Sequence, residues 1–252
     1  MPETSSEKKG RYFYAVISGA DERTYGDFGI DGGIVYSISD SHVSAMVSDV
    51  PNEKIRPERR HLAAHQEVLK RLMEDSTPLP LTFGIIANGP KAIQRILTRN
   101  REAFLEQLYR VAGKVEMGLR VTWDVPNIFE YLVHTHKDLR AARDRLFGTY
   151  REPTQEEKIE MGRMFERLIN EDRETYTDMV EQILSPKCFE IKGNTPRNEQ
   201  EVMNLACLIG REYQPKFEAA IFKAAEVFDN NFTFDYNGPW APHNFVDIDL
   251  EL

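Results

Sequence analysis

Val115-Glu116-Met117-Gly118-Leu119-Arg120-Val121-Thr122-Trp123 decides how the chain is read. Val115, Met117, Leu119, Val121 and Trp123 alternate with Glu116, Arg120 and Thr122, the period-two pattern of a strand with one buried face. Downstream, Pro126 opens a helix with Ile128, Leu132, Leu139 and Leu146 on one side. Thr154 and Glu157 form a capping box, and a long helix runs from there to Leu184. Its stripe is Met161, Phe165, Leu168, Tyr176, Met179 and Ile183, interrupted by Asp172. Phe189–Lys192 and Met203–Ile209 read as strands. Pro215–Phe228 reads as a helix with Phe217, Ile221, Ala224 and Phe228 inward, and Phe232–Tyr236 as a closing strand. Residues 114–236 therefore run β, helices, β, β, α, β. Setting aside one helical insertion leaves the βαββαβ order of a modified ferredoxin-like domain.

Upstream, residues 1–10 are polar and read as a disordered leader, with no apolar stretch of the signal-peptide kind. Arg11–Ser18 reads as a buried strand, and Gly33–Ser39 with His42–Ser48 as a hairpin turning at Asp40-Ser41. Pro57–Glu74 is helical, with Leu62, His65, Leu69 and Leu72 on one face. Pro78-Leu79-Pro80 stops it, and Leu81–Ala87 is a short strand or buried loop. Pro90 then begins a single helix whose stripe, Ile93, Ile96, Leu97, Phe104, Leu108 and Val111, runs to Gly113. The expected fold is α+β in two domains: 11–113, an N-terminal α+β domain, and 114–236, followed by an aromatic and acidic segment, 237–252, docked on the N-terminal domain.

Composition narrows the function. The 252 residues are 41% hydrophobic and 29% charged, with net charge −9, values of a globular chain with a core of its own. The acidity argues against a general nucleic-acid binder and against a polybasic membrane-surface protein. Residues 151–184 and 229–252 each carry a net −5. A solvated face accounts for such clustering, and an electrostatic docking face is the alternative. Two cysteines, Cys188 and Cys207, are too few for a disulfide framework and fit a reducing compartment. Uninterrupted apolar runs such as Leu205–Ile209 are far short of the about 20 residues of a membrane span. A soluble, cytoplasmic protein is expected.

No catalytic, cofactor or metal constellation emerges. His61 and His65 share a helix side at i and i+4, yet no glutamate lies between them as in H-E-x-x-H. His134 and His136 diverge by about 200° on a helix. Gly26–Gly33 matches neither a P-loop nor a dinucleotide fingerprint and reads as a flexible loop. Lys91, Arg95, Arg99 and Arg101 form a basic helix edge, either solvated or in contact with phosphate.

The unusual feature is the C-terminal stretch Phe234–Val246, aromatic residues set among Gly238, Pro239, Pro242, Asn237 and Asn244. Asn237-Gly238-Pro239 predicts a turn, and Trp240 and Phe245 are costly to leave in water. An ordered, non-regular segment is expected, docked on its own chain or offered to a partner, with Tyr236, Gly238, Pro239, Trp240, Pro242 and Phe245 as candidate contact residues. Beyond it, Val246, Ile248, Leu250 and Leu252 alternate with acids, as a frayed tail or a strand adding to a sheet edge.

Tyr236-Asn237-Gly238-Pro239-Trp240-Ala241-Pro242-His243-Asn244-Phe245-Val246 resembles the terminal Y-x-G-P-W-P-P-Y-x-F-V motif of the gas vesicle protein F/L family (GvpF/GvpL). Pro78-Leu79-Pro80-Leu81-Thr82-Phe83-Gly84 is similar to its L-P-L-R-F-G block, after a helix bearing a histidine, here His65. Val115–Val121 is similar to its E-x-G-V-K-V strand, and Tyr12–Val16 to its aromatic first strand. The chain departs from the pattern at Thr82, Ala241 and His243. The resemblance implies two α+β domains, the second a modified ferredoxin fold, and a non-enzymatic accessory role in gas vesicle assembly. It implies contact with the main shell protein GvpA, leaves open a place as a minor shell component, and makes other gas vesicle accessory proteins further candidate partners. Two rival classes stand beside it: a ferredoxin-like small-molecule sensor or enzyme, and a nucleic-acid-binding regulator using residues 91–101.

Overall fold

The computed structural model describes residues 9–148 and 151–251. The chain divides into two units. The first unit is Met1–Glu116 with Pro239–Leu252, and the second is Met117–Gly238. Residues 1–8 of the expected leader lie outside the described residues, but Lys9 and Gly10 are strand, not leader.

The first unit is built on one sheet, β1 (Lys9–Ser18), β2 (Thr24–Gly26), β3 (Val35–Ser39), β4 (Val43–Pro51), β5 (Leu79–Pro80) and β6 (Ile86–Ala87). The order is β2-β3-β4-β1-β5, and β6 also pairs with β1. The expected hairpin is the β3–β4 pair, Val35 opposite Ser48 through Ser39 opposite Ser44. Tyr12 through Ile17 are all buried, which a strand covered on both faces requires. One cover is α1 (Arg59–Asp75), the other α2 (Pro90–Arg99) and α3 (Arg101–Val111). On the α2/α3 side Phe13, Val16, Val43, Ala45 and Val47 pack with Ile93, Ile96, Leu97, Phe104, Leu108 and Val111.

Three expectations in this unit need correcting. Of the expected α1 face, His65, Leu69 and Leu72 are buried but Leu62 is 42% exposed, and His61, Val68 and Met73 are buried as well. The helix expected from Pro90 to Gly113 is two helices broken at Asn100, whose side-chain amide donates to the Ile96 carbonyl (2.8 Å) and competes with the helical backbone. The glycine loop is an ordered 3₁₀ turn (Ile30–Gly32), not a flexible loop. The Tyr14 phenol oxygen accepts the Ile30 N–H (2.8 Å) and bonds Ser48 Oγ (2.6 Å). A Cβ on Gly29 would sit 2.7 Å from both the Gly33 carbonyl and Tyr14 Oη, so only glycine permits this closure.

The second unit carries the sheet β10-β7-β9-β8, with β7 (Lys114–Trp123), β8 (Glu190–Gly193), β9 (Glu201–Gly210) and β10 (Phe232–Trp240). Between β7 and β8 lie α4 (Ile128–Thr135), α5 (Lys137–Phe147) and α6 (Gln155–Leu184); α7 (Gln214–Ala225) joins β9 to β10. With α4–α6 taken as one crossover, the succession is β, α, β, β, α, β. The capping box forms as read: Thr154 Oγ1 accepts the Glu157 N–H (3.3 Å), and the Glu157 carboxylate accepts the Thr154 N–H (2.9 Å). The helix read from Pro126 through Leu146 breaks at His136, whose Nε2 meets Asp172 Oδ2 (2.9 Å), so the residue that interrupts the α6 stripe has a partner. Phe189 lies outside β8 and is 62% exposed.

Two further corrections concern the ends of the sheet. Glu116, read as outward, is 6% exposed. Asn237-Gly238-Pro239 does not turn: β10 stays extended to Trp240, with Gly238 at φ +127° absorbing the conformation.

The glycines give opposite stability effects. Gly29→Ala is expected to cost about 1–3 kcal/mol, because the collision is with backbone and a buried phenol. Gly162→Ala, with open space around it inside α6, is expected to add about 0.5–1 kcal/mol. Urea midpoints at unchanged m-value read both.

Candidate functional site

The C-terminal segment closes on its own unit through a buried acid. Glu116 accepts two hydrogen bonds from Asn244, from its backbone N–H (2.8 Å) and from its side-chain amide (2.6 Å). A carboxylate out of water needs such donors, and here the segment supplies them. The Arg110 guanidinium donates to the Phe245 carbonyl (3.2 Å). Asn100 closes the far end: its amide donates to the Glu251 carbonyl (3.1 Å) and its oxygen accepts the Glu251 N–H (3.0 Å). Val246, Ile248 and Leu250 pack against the α2/α3 core, with Asp247 and Asp249 outward. The period-two pattern thus describes an extended tail seated by side chains, and no β-strand is formed there.

The sequence candidates separate by exposure. Phe245 is fully buried and Pro242 is buried, while Pro239 and Trp240 face solvent, Trp240 at 42% exposure. Gly238 is exposed in β10. Tyr236 donates its hydroxyl to Glu218 Oε1 (2.5 Å), and this bond pushes the phenol pKa up. Glu116, Asn100, Asn244 and Arg110 hold the segment and were not among the residues singled out from sequence. Only one signal pointed to them: an acid on a strand whose neighbours are apolar.

The segment Pro78–Gly84 belongs to a second buried network. The Gly84 N–H donates to Tyr12 Oη (3.1 Å), and Tyr12 Oη lies 3.0 Å from His65 Nδ1. The other side of His65 bonds the Leu81 backbone. We assign the tautomer in which Tyr12 donates to Nδ1 and Nε2–H donates to the Leu81 carbonyl, which satisfies every group with a neutral imidazole. Tyr14 and Phe83 complete the cage, with ring centroids 5.6 and 5.8 Å from His65. Burial, then the nearby His243, lower the His65 pKa to about 4. Burial pushes the Tyr12 and Tyr14 phenols up, so both remain protonated.

Both ring nitrogens of His61 have partners. His61 Nε2 meets Asp31 Oδ1 (3.1 Å) and its Nδ1 the Arg56 carbonyl (2.8 Å). Among the described residues no group of three or more His, Cys, Asp or Glu is placed to hold a metal. Cys188 is half-buried and Cys207 buried, and neither is in a disulfide.

This mixed helix-and-sheet fold is shared with gas vesicle proteins of known structure. The chain belongs to the family described as "Gas vesicle synthesis protein GvpL/GvpF", whose profile matches residues 10–247. Gas vesicle protein F of Nostoc sp. (strain PCC 7120) is 27% identical over 242 residues, 95% of this chain and 98% of that protein. Gas vesicle protein F of Haloferax mediterranei is 26% identical over 245 residues, 95% of this chain and 94% of that protein. The crystal structure of GvpF from Anabaena sp. PCC7120 superposes with a TM-score of 0.83 at 26% identity, covering 96% of this chain and 99% of that one. That of GvpF from Microcystis aeruginosa, at 23% identity, shares the fold with a TM-score of 0.80 over 95% of this chain and 99% of that one. The role of the chain is that of a gas vesicle accessory protein.

Two outcomes test these networks. Asn244→Ala removes the side-chain donor from the buried Glu116 and leaves only the backbone N–H, which is expected to cost about 1–3 kcal/mol, with proteolytic cleavage of the C-terminal segment accelerated; Glu116→Gln costs less, since a neutral amide tolerates burial. For His65, the folded pKa lies below the unfolded value of about 6.5, so the neutral ring favours the folded state above that pH. The advantage is lost as pH falls from about 6.5 to about 4, roughly 3 kcal/mol in all. Urea unfolding between pH 7 and pH 4 should show this slope, and His65→Gln should flatten it.

Proposed function

We propose that this chain is a non-enzymatic assembly factor that binds the gas vesicle shell protein GvpA in the cytoplasm and acts at the growing vesicle. A small, strongly apolar shell subunit must be shielded until it is laid down, and a partner does this by covering an apolar face or an open sheet edge. Trp240 carries the reading. It ends the edge strand β10, and the residue is 42% exposed although the residues just after it are clamped by Glu116 and Arg110. Large aromatics on a held backbone are favoured contact anchors, because little side-chain freedom is lost on binding. Consistent with this role, among the described residues no helix is long and apolar enough to cross a membrane.

Deletion of the gene, scored by microscopy, is expected to abolish intact vesicles, and the wild-type gene to restore them. Trp240→Ala is expected to fold normally and to retain GvpA at least about tenfold less well in a pull-down, a loss of about 1.4 kcal/mol. Undiminished retention would remove Trp240 from the contact. Phe245→Ala is unsuitable as the sole probe, because a fully buried ring fails first by unfolding.

A further inference from the structure

A cleft of about 650 Å³ lies in the first unit between the segment Gly84–Asn88 and α2. Three properties meet there. The first is an open sheet edge. Among the described residues β6 pairs with β1 alone, Arg11 opposite Ala87 and Tyr12 opposite Ile86, and the Phe13 N–H donates to the Ile85 carbonyl (2.9 Å). In an antiparallel ladder, residues that exchange hydrogen bonds with the neighbour alternate with residues whose N–H and C=O point the other way. Ile85 and Ala87 bond toward β1, so the backbone groups of Ile86 point outward, into the cleft. The second property is an apolar floor: Ile85, Ile86 and Ala92 are half-buried, beside buried Ile96.

The third is charge. α2 carries Lys91, Arg95 and Arg99 and no acidic residue, in a chain whose net charge is −9. Arg95 and Arg99 line the cleft, and Arg95 makes no ion pair among the described residues. Spacings of four place the three cations along one side of the helix.

We propose that this cleft is a peptide-binding groove that receives one extended segment of a partner protein by strand addition beside Ile86. The segment presents apolar side chains to Ile85 and Ile96, and a carboxylate from the same face to Arg95 and Arg99. An edge strand facing a helix across an apolar trough recognises a strand in this way: main-chain bonds hold it, and alternate side chains select it. The positive charge that Arg95 brings to the cleft specifies an acidic segment over a basic one. The groove is separate from Trp240 and does not depend on the shell-protein reading.

The probe is the capped hexapeptide Thr-Val-Thr-Val-Thr-Glu, which sets Val, Val and Glu on one face. Titrated into the full-length ¹⁵N-labelled protein, it is expected to shift the Ile86 amide saturably. Arg95→Glu, a surface change that leaves the core intact, is expected to weaken binding at least about tenfold, and a peptide with Lys in place of Glu to recover it on that variant. N-methylation of the peptide backbone beside Ile86 is expected to abolish binding. Absence of a saturable shift at millimolar peptide, equal binding of the Lys peptide to the wild-type protein, or indifference to N-methylation would each overturn the proposal.

Discussion

A carboxylate taken out of water must be surrounded by donors, and Glu116 meets this requirement with a segment more than a hundred residues away in sequence. The Asn244 backbone and side chain both point at it. Once they do, Phe245 is carried into the core, and its carbonyl is placed for Arg110. The rest of the tail follows along the α2/α3 core to Asn100. An isolated ion pair on the surface is worth little. A buried acid is different, because leaving it unsatisfied costs more than forming the bond returns. Glu116 therefore specifies where the C-terminus goes more than it adds to overall stability.

β1 imposes the complementary constraint on the first unit. A strand buried on both faces must satisfy any polar group it carries, and Tyr12 and Tyr14 carry two. Both are used to place loops: Tyr14 closes the Ile30–Gly32 turn, and Tyr12 receives Gly84 while holding His65. Three segments distant in sequence are thereby tied to one strand through two phenols and one neutral imidazole. Pro78–Gly84 fits the family block because it runs past this cage, with Leu81 and Gly84 meeting it through backbone groups and Phe83 through its ring.

Much of this was legible in the sequence, and several of the exceptions share a cause. Periodicity located β7, α6 and its capping box, the β3–β4 hairpin and the six-residue stripe from Ile93 to Val111, because burial of one face writes a local pattern. Errors fell where a polar side chain answers to something remote. Asn100 breaks a helix by bonding Ile96 and Glu251, and His136 breaks another where it meets Asp172. Glu116 looked outward because alternation assigns acids to solvent, and nothing local announces Asn244. Asn237-Gly238-Pro239 has the composition of a turn, yet the β10 pairing keeps it extended. The candidate site was located as a segment, but its division into buried and exposed members required the structure.

That division changes how the aromatic C-terminus is understood. From sequence, Trp240 and Phe245 are equivalent: large, apolar and flanked by residues that stiffen the backbone. In the fold they do different work. Phe245 is enclosed, with its carbonyl and its neighbour Asn244 both engaged, so its contribution is to anchor. Trp240 stands five residues earlier, at the last position of an edge strand, and is partly in water. Pro239 and Pro242 on either side lack backbone donors and restrict the path between strand and anchor. The motif is thus a short rigid span, fixed at one end by the sheet and at the other by a buried acid, that holds one indole at the surface. A loss of activity on altering Phe245 reports on the span, whereas a loss on altering Trp240 with the fold intact reports on what the span presents.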